Sequence, residues 1–241
     1  MSVGDRIATA EGKRQYVRAL FDRIADRYDF ITVFLSYGLD RRWKRALVRL
    51  ASPLAGARAL DLATGTGDIA FLLQDRAAHV VGLDVTLRMI RLAREKDAHG
   101  PGRSDAAPAF MVADMMALPF ESASFDVVTT GYGLRNVPDL DGALDEILRV
   151  LKPGGQALSL DFTRPVNRIV RAVYLAYLTV VGGALGWLLH GDADAYRYIP
   201  ASIRTYPTAQ ELVHVMQHRG FSRVAHYPLL GGLMAIHQAM K

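Results

Sequence analysis

Between residues 57 and 162 short apolar runs alternate with helical stretches, and this alternation limits the possible folds more than any other feature. Units of this kind build a parallel β-sheet with helices on both faces, so we predict an α/β fold. The strands are predicted at Ala57–Leu62, Ala78–Leu83, Ala109–Val112, Phe125–Gly131 and Gln156–Phe162. The helices are predicted at Asp68–Arg76, Thr86–Asp97 and Leu140–Leu151.

Further elements are predicted on both sides of this alternating region. Amphipathic helices are indicated at Lys13–Tyr28 and Asp40–Ala51, where apolar residues recur at three- and four-residue steps. Near the C-terminus, a helix at Ala209–Gly220 precedes two strands, at Phe221–Pro228 and Leu233–Ala239. Between the second helix and the third strand of the core, residues 99–108 are rich in Gly, Pro, Ser and Asp, which predicts an exposed loop.

Composition narrows the classes of function. The chain has no cysteine, which excludes disulfides, thiolate metal sites and a cysteine nucleophile, and favours a reducing cytoplasm. Residues 1–27 lack an apolar run behind a basic start, so we expect no secretory signal. The net charge of +5 suggests anionic surroundings, and nucleic acid, a membrane face or an acidic ligand would each satisfy it.

One uncharged segment, Ala172–Leu189, lies between Arg171 and His190. Its length is near the lower limit for a membrane-spanning helix. Three glycines lower its helix propensity, and Tyr174, Tyr177 and Thr179 make it less apolar than a typical span. We therefore favour an apolar helix that covers a core or a lipid site.

A glycine-rich turn, Asp61–Asp68, leaves the first predicted strand and enters a helix. Gly65 and Gly67 let the backbone approach a ligand closely, and the start of the helix offers free N–H groups. Dinucleotide-binding enzymes use a related turn with a third glycine, but Ala70 occupies that position here. The pattern therefore favours a different nucleoside cofactor and leaves a dehydrogenase as an outside alternative.

Acidic residues end the next two strands. Asp84 lies where a carboxylate accepts hydrogen bonds from ribose hydroxyls, and Asp114 can accept from an adenine amino group while Met115 packs on the ring. Each aspartate alone could equally be a helix cap. Together with Asp61 they surround one glycine turn at the carboxyl edge of the sheet, which predicts a crevice for an adenosyl ligand.

Narrower motifs extend over nearly the whole chain. They are Tyr28-Asp29, Ser36-Tyr37-Gly38-Leu39, Trp43-Lys44-Arg45, Ala117-Leu118-Pro119-Phe120, Gly133-Leu134-Arg135-Asn136, Leu151-Lys152-Pro153-Gly154-Gly155 and Asp192-Ala193-Asp194-Ala195-Tyr196-Arg197-Tyr198. With these motifs the chain resembles the class I S-adenosylmethionine-dependent methyltransferases, and more narrowly the C-methyltransferases of menaquinone and ubiquinone biosynthesis.

The resemblance implies a single Rossmann-like domain with a seven-stranded, mostly parallel sheet. Residues 1–53 would form an N-terminal helical lid, residues 54–162 the cofactor-binding core, and residues 163–241 the substrate-side helices and last strands. The cofactor would be S-adenosyl-L-methionine. Its predicted binding residues are Asp61, Gly65, Thr66, Gly67, Asp84, Asp114, Met115 and Gly131.

The substrate implied by the resemblance is a polyprenyl quinol, methylated on its ring. Arg135 and Asn136, expected to face the cofactor crevice, are candidate catalytic residues that stabilise the quinolate, unless they merely cap the next helix. Tyr28 is a third candidate, on the lid. Tyr196, Arg197, Tyr198 and Arg204 either shape the substrate mouth or form a solvated polar face. The apolar segment 172–189, flanked by arginines, could dock on the inner face of an anionic membrane or be an ordinary buried helix.

Other functions are weighed against this one. A nucleic-acid methyltransferase would carry an Asn/Asp-Pro-Pro-Tyr motif where this chain has Gly131–Leu134, so no nucleic-acid partner is expected. A small-molecule C- or O-methyltransferase of secondary metabolism, or a non-catalytic cofactor-binding relative, remains as an alternative. No metal site is expected, because His214 and His218 lack an acidic partner in the sequence. Naphthoquinol or benzoquinol specificity and a homodimer are left open.

Overall fold

The computed structural model describes residues 3–51, 54–77, 79–99, 107–190 and 194–241. Within these residues the helices are α1 Val3–Arg6, α2 Ala10–Ile24, α3 Tyr28–Leu35, α4 Asp40–Leu50, α5 Asp68–Gln74, α6 Leu87–His99, α7 Leu140–Val150, α8 Arg168–His190, α9 Asp194–Thr205 and α10 Ala209–His218. The strands are β1 Arg58–Leu62, β2 His79–Asp84, β3 Ala109–Val112, β4 Phe125–Gly131, β5 Leu151–Phe162, β6 Ser222–Leu229 and β7 Met234–Met240.

The described strands form one seven-stranded sheet in the order β3-β2-β1-β4-β5-β7-β6. The first five strands of this order are parallel, and β7 pairs antiparallel with both β5 and β6. Side chains alternate between the faces, so Ala59 packs towards α4 and α5 while Leu60 packs towards α7 and α10. The predicted α/β sheet with helices on both faces is confirmed.

The N-terminal helices form a separate small cluster over the carboxyl edge of the sheet. Val17, Leu20 and Ile24 of α2 pack with Ile31 of α3 and with Tyr198 of α9. Thr9 caps α2 by accepting a hydrogen bond from the backbone N–H of residue 12 at 3.1 Å. This lid is the part of the chain that covers the site described below.

Several boundaries differ from the sequence prediction. The first amphipathic helix ends at Ile24 instead of Tyr28, because a 3-10 turn at Ala25–Arg27 separates it from α3, which was not predicted. β5 begins at Leu151 instead of Gln156, since its pairing with β4 continues across a register shift. α9 was also missed. Most of the predicted loop at 99–108 lies outside the described residues, and His99 ends α6.

α8 has two apolar faces. Tyr174, Leu175 and Leu178 are buried against the sheet core, whereas Val173 and Val180 are 65% and 71% exposed. The span Arg168–Leu189 is long and apolar enough to cross a membrane by composition, with 39% of it buried inside the protein. The buried face supports the expected role as a helix that covers the core.

Candidate active site

The glycine-rich turn after β1 has the strained geometry that its glycines allow. Gly65 and Gly67 adopt φ of +56° and +90°, a left-handed conformation that side chains with a Cβ rarely adopt. A Cβ on Gly67 would also lie 2.8 Å from the Phe71 ring and 2.9 Å from the Phe110 ring. Glycine is therefore required at residue 67 by both conformation and space.

Asp61 supports this turn from beneath. Its carboxylate accepts hydrogen bonds from the hydroxyls of Thr64 at 2.6 Å and Thr129 at 2.7 Å. Burial raises the pKa of Asp61 to about 7, although the two hydroxyls oppose the shift. Asp61 was predicted to contact the cofactor, but it does not line the crevice and instead orders the turn above it.

Asp84 ends β2 and lines the crevice. Its carboxylate accepts hydrogen bonds from the backbone N–H of Gly65 at 3.0 Å and from that of Thr86 at 2.8 Å. Burial raises its pKa, against these two hydrogen bonds. Asp84 thus joins the glycine turn to the second strand and presents a buried acceptor to the crevice.

Asp114 and Met115 follow β3 on the other side of the crevice. Asp114 accepts a hydrogen bond from the N–H of Met116 at 2.9 Å and forms an ion pair with Arg14 of the lid. Met115 is buried and presents its apolar side chain to the cavity. A hydrogen-bond acceptor and an apolar thioether therefore line the same crevice.

The crevice has an empty volume of about 730 Å³. Five of the predicted cofactor residues line it, namely Gly65, Asp84, Asp114, Met115 and Gly131. Thr66 does not line it, because its hydroxyl donates to Asp29 at 2.6 Å and accepts from Lys96 at 2.8 Å. Gly67 does not line the crevice either. Thr66 therefore ties the turn to the lid and to α6 instead of facing a ligand.

A second, mostly apolar cavity of about 610 Å³ adjoins the crevice. Phe21, Tyr28 and Tyr132 line both spaces and form the wall between them. Burial raises the pKa of Tyr28 to about 12, so its hydroxyl stays protonated near neutral pH. Tyr28 was predicted as a catalytic candidate, and it lies at the contact between the two cavities.

Arg135 lines the second cavity and not the cofactor crevice, which corrects the expectation that it faces the crevice. It is 5% exposed, and its Nε donates to Asp161 at 3.2 Å. The backbone N–H of Arg135 donates to the other carboxylate oxygen at 3.0 Å, and Nη1 donates to Ser202. Its guanidinium also lies 5.3 Å from the ring centre of Phe162. Arg135 is therefore a fixed buried cation.

Asn136 does line the crevice. Its Nδ2 donates to the carbonyl of Tyr132 at 2.7 Å, and its Oδ1 accepts from the Tyr198 hydroxyl at 3.0 Å. Arg135 and Asn136 do not cap the next helix, because α7 is capped by Asp139. Of the residues expected at the substrate mouth, Tyr198 is buried beside Arg135, while the side chain of Tyr196 lies outside the described part.

Known proteins of similar sequence identify the family of this chain. The sequence matches the ubiE/COQ5 methyltransferase family over residues 9–241. The chain belongs to this family. It is 43% identical over 221 residues to a demethylmenaquinone methyltransferase of Thermus thermophilus, covering 90% of this chain and 98% of the relative. It is 37% identical over 241 residues to a ubiquinone/menaquinone biosynthesis C-methyltransferase of Methylococcus capsulatus, covering 99% and 96%.

Solved structures agree on the fold. An S-adenosylmethionine-dependent methyltransferase of Thermotoga maritima superimposes with a TM-score of 0.64 at 18% identity, over 92% of this chain and 99% of that one. The predicted methyltransferase class, cofactor and Rossmann-like fold are thereby confirmed. The residues that hold the cofactor remain a prediction.

The crevice fits the adenosyl group of this family's cofactor. Asp84 and Asp114 are acceptors for hydroxyl and amino donors, and Leu83, Met89 and Met115 give the apolar surface that a flat base needs. Among the described residues, no group of three or more potential metal ligands occurs.

Four residues of the site were missed by sequence reasoning. They are Arg14, Asp40, Tyr132 and Asp161. The partners Tyr132 and Asp40 lie 92 positions apart, so no local pattern links them. Only the position of Asp161, at the carboxyl end of a predicted strand, could have marked it as a site residue.

Proposed function

We propose that this methyltransferase transfers the methyl group of S-adenosyl-L-methionine to a ring carbon of a polyprenyl quinol, with demethylmenaquinol as its acceptor. One observation carries the proposal: an apolar cavity with one buried cation, Arg135, shares a wall with the cofactor crevice. The names of the two relatives point to the same substrate class. Whether the protein also methylates the benzoquinol of the ubiquinone pathway is left open.

The residues divide the work between the two cavities. The cofactor supplies an electrophilic methyl group, and Asp84, Asp114 and Met115 would hold its adenosyl part. In the second cavity a quinol becomes a carbon nucleophile when its hydroxyl loses a proton and charge enters the ring. A guanidinium is a poor proton acceptor, so Arg135 would stabilise that quinolate and would not act as the base.

The exposed side of α8 suits an acceptor that arrives from a membrane. Ile169, Val173, Val180 and Trp187 follow one side of α8 at helical intervals and are 65–75% exposed. Arg164 is paired with Glu211 at 2.7 Å, so Arg168 and Arg171 supply the basic flank. A peripheral contact with the inner, anionic membrane face would let the prenyl tail stay in lipid while the ring enters the cavity.

A comparison of acceptors tests the substrate assignment. Demethylmenaquinol, the benzoquinol precursor and a tail-free naphthoquinol would be presented in detergent with labelled cofactor, and kcat and KM compared. We expect ring methylation of the prenylated quinols and a higher KM without the tail, because each CH₂ of the tail that leaves water for lipid or detergent beside α8 contributes about 0.8 kcal/mol. Faster methylation of unrelated small phenols would contradict the quinol assignment.

A further inference from the structure

Tyr132, in the wall between the two cavities, begins a chain of polar contacts that leads out of the site. Its hydroxyl donates to Asp40 of α4 at 2.7 Å. Asp40 is 1% exposed and also lies 2.7 Å from the Nζ of Lys44. The substrate-side wall is therefore joined directly to a buried ion pair.

The contacts continue to the surface. Lys44 lies 2.9 Å from Asp68, and Asp68 lies 3.1 Å from Lys96. The side chain of Asp68 is 34% exposed and lines a surface groove together with Lys44, Lys96 and Arg41. Lys96 also lies 2.5 Å from Asp29 of the lid. A continuous series of exchangeable groups thus runs from the shared wall to water.

At the outer end of this series, Lys44 is held as a cation and Asp68 as an anion. Burial opposes the charge of Lys44, but Asp68 and Asp40 outweigh it and raise the pKa of Lys44. Burial likewise opposes ionisation of Asp68, yet Lys44 and Lys96 lower its pKa overall. Burial and the neighbouring Asp40 raise the pKa of Tyr132, so its hydroxyl remains a neutral donor and acceptor. Tyr28 adds a neutral hydroxyl on the α3 side.

Ring methylation requires a route for one proton. The new bond joins the methyl carbon to the ring carbon, and the carbon–sulfur bond breaks with its electron pair left on sulfur. The quinol hydroxyl gives up its proton before this bond forms, and the ring hydrogen afterwards moves to that oxygen, so quinol and sulfonium together release one proton per methyl transferred. Phe21 and Tyr28 of the lid line both cavities, and the wall that the cavities share holds a series of polar groups that can accept this proton.

We propose that Tyr132 and Asp40 carry this proton away from the quinol, and that Lys44 and Asp68 pass it to the surface groove. The Tyr132 hydroxyl accepts a proton as it gives its own to Asp40. Asp40 then protonates the Lys44 amine as Lys44 gives a proton to Asp68, which releases it to water. Each group ends in its starting state. This route rests on the proposed quinol methylation.

The alternative is that these contacts are only structural, with the Asp40–Lys44 pair stabilising α4 and the Lys44–Asp68 pair anchoring α4 to α5. Asp40→Asn and Tyr132→Phe separate the two roles, because each keeps side-chain volume and removes one proton-transfer group. Asp40→Glu restores the carboxylate. Asp126→Asn is the matched control, since Asp126 pairs with Lys152 at 2.8 Å away from both cavities. Tyr227→Phe is the matched control for Tyr132, since Tyr227 bonds Gln238 on the outer strands.

The measurement is kcat for demethylmenaquinol from about pH 6 to about pH 9, with cofactor affinity by calorimetry. We expect Asp40→Asn and Tyr132→Phe to lower kcat at least about tenfold at neutral pH, with recovery at high pH as the quinol ionises in solution. Cofactor affinity should stay within about twofold. Asp40→Glu should recover part of the rate, and both controls should match wild type.

Three results would overturn the route. Wild-type kcat in both folded variants at every pH would show that the contacts carry no proton. A loss of kcat that is constant with pH, shared by Asp40→Glu and accompanied by lower thermal stability would assign a structural role. If the wild-type protein binds the cofactor but never methylates the quinol, the proposed function fails, and this route fails with it.

Discussion

Arg14 of the lid helix α2 forms an ion pair with Asp114 at the carboxyl end of β3, across the mouth of the cofactor crevice. The Arg14 side chain is 52% exposed and that of Asp114 is 22% exposed. The pair therefore joins the lid to a carboxylate that we assign to adenine. We expect this contact to open or rearrange when the cofactor exchanges.

Arg14→Ala should speed cofactor exchange without unfolding the protein. An exposed pair of this kind contributes at most about 1 kcal/mol, so we expect a dissociation rate up to about fivefold faster and little change in stability. Stopped-flow fluorescence with S-adenosylhomocysteine measures the rate. Arg219→Ala is the control, because Arg219 pairs with Asp145 of α7. Unchanged or slower dissociation would show that the ion pair does not limit release of the cofactor.

Asp84→Ala should weaken cofactor binding strongly. The substitution removes the predicted ribose acceptor and leaves the N–H groups of Gly65 and Thr86 without their carboxylate. Losing one charged hydrogen bond costs about 2 kcal/mol, which corresponds to about thirtyfold in Kd. Calorimetry with S-adenosylhomocysteine measures Kd, and Asp126→Ala is the control. Wild-type affinity in the variant would remove Asp84 from the binding site.

The contributions of the Arg135–Asp161 pair to stability and to catalysis should be separable. Arg135→Ala leaves a buried carboxylate unpaired, and breaking such a pair costs about 3–5 kcal/mol of stability. The double variant with Asp161→Asn should recover most of this stability but not turnover, since the cation beside the acceptor is still missing. Urea unfolding and initial rates give the two quantities. Recovery of turnover in the double variant would exclude Arg135 from the chemistry.

Asp61 should give the protein an unusual dependence of stability on pH. Its pKa is about 7 in the folded protein, well above the ordinary aspartate value, so the folded state holds a proton that the unfolded state has lost. The unfolding free energy should therefore fall by up to about 1.4 kcal/mol per pH unit between about pH 4 and pH 7. Asp61→Asn does not titrate.

The measurement is the difference in unfolding free energy between Asp61→Asn and wild type at about pH 5 and about pH 7. This difference should shift in favour of the variant as pH rises, because only wild type pays for ionising the buried carboxyl. His237 acts in the opposite direction, since burial lowers its pKa to about 4 and acid destabilises the folded state; it is common to both proteins and cancels. A difference independent of pH would contradict the raised pKa.

Trp187 and Ile169 should carry the membrane contact. Trp187→Ser with Ile169→Ser removes exposed apolar area, so binding to vesicles that contain anionic phospholipid should fall at least about tenfold with stability unchanged. Co-sedimentation measures binding, and added salt should weaken it in wild type. Tyr227→Ser, on the edge strand β6, is the control. Equal vesicle binding by the double variant and the wild type would show that another surface contacts the membrane.

The sequence predicted those parts of the site that depend on local patterns. The strands, the glycine turn and the acids at the strand ends follow from short-range periodicity and backbone needs, and Gly65, Asp84 and Asp114 all line the crevice. Sequence reasoning also placed Asp61 in the crevice. An acidic residue in such a turn gives the same sequence pattern whether it faces the ligand or supports the loop. α9 was missed since Pro200 lies inside it, which argues against a helix.

Long-range partners could not be predicted. The contact of Arg135 with Ser202 joins residues 67 positions apart, and that of Arg14 with Asp114 joins residues 100 apart. Such pairs depend on how the lid and α9 pack on the sheet, and short sequence motifs carry no information about that packing. For this reason sequence reasoning placed Arg135 at the cofactor crevice, whereas it lines the second cavity.

The most direct test of the quinol assignment is one incubation. The purified protein, labelled S-adenosyl-L-methionine and chemically reduced demethylmenaquinone are combined in detergent, and the product is identified by mass and fragmentation. We expect one added methyl on the quinol ring, with no transfer when the quinone is left oxidised. Cofactor binding by calorimetry without methylation of the reduced quinone would contradict the quinol assignment while leaving the fold and the cofactor site in place.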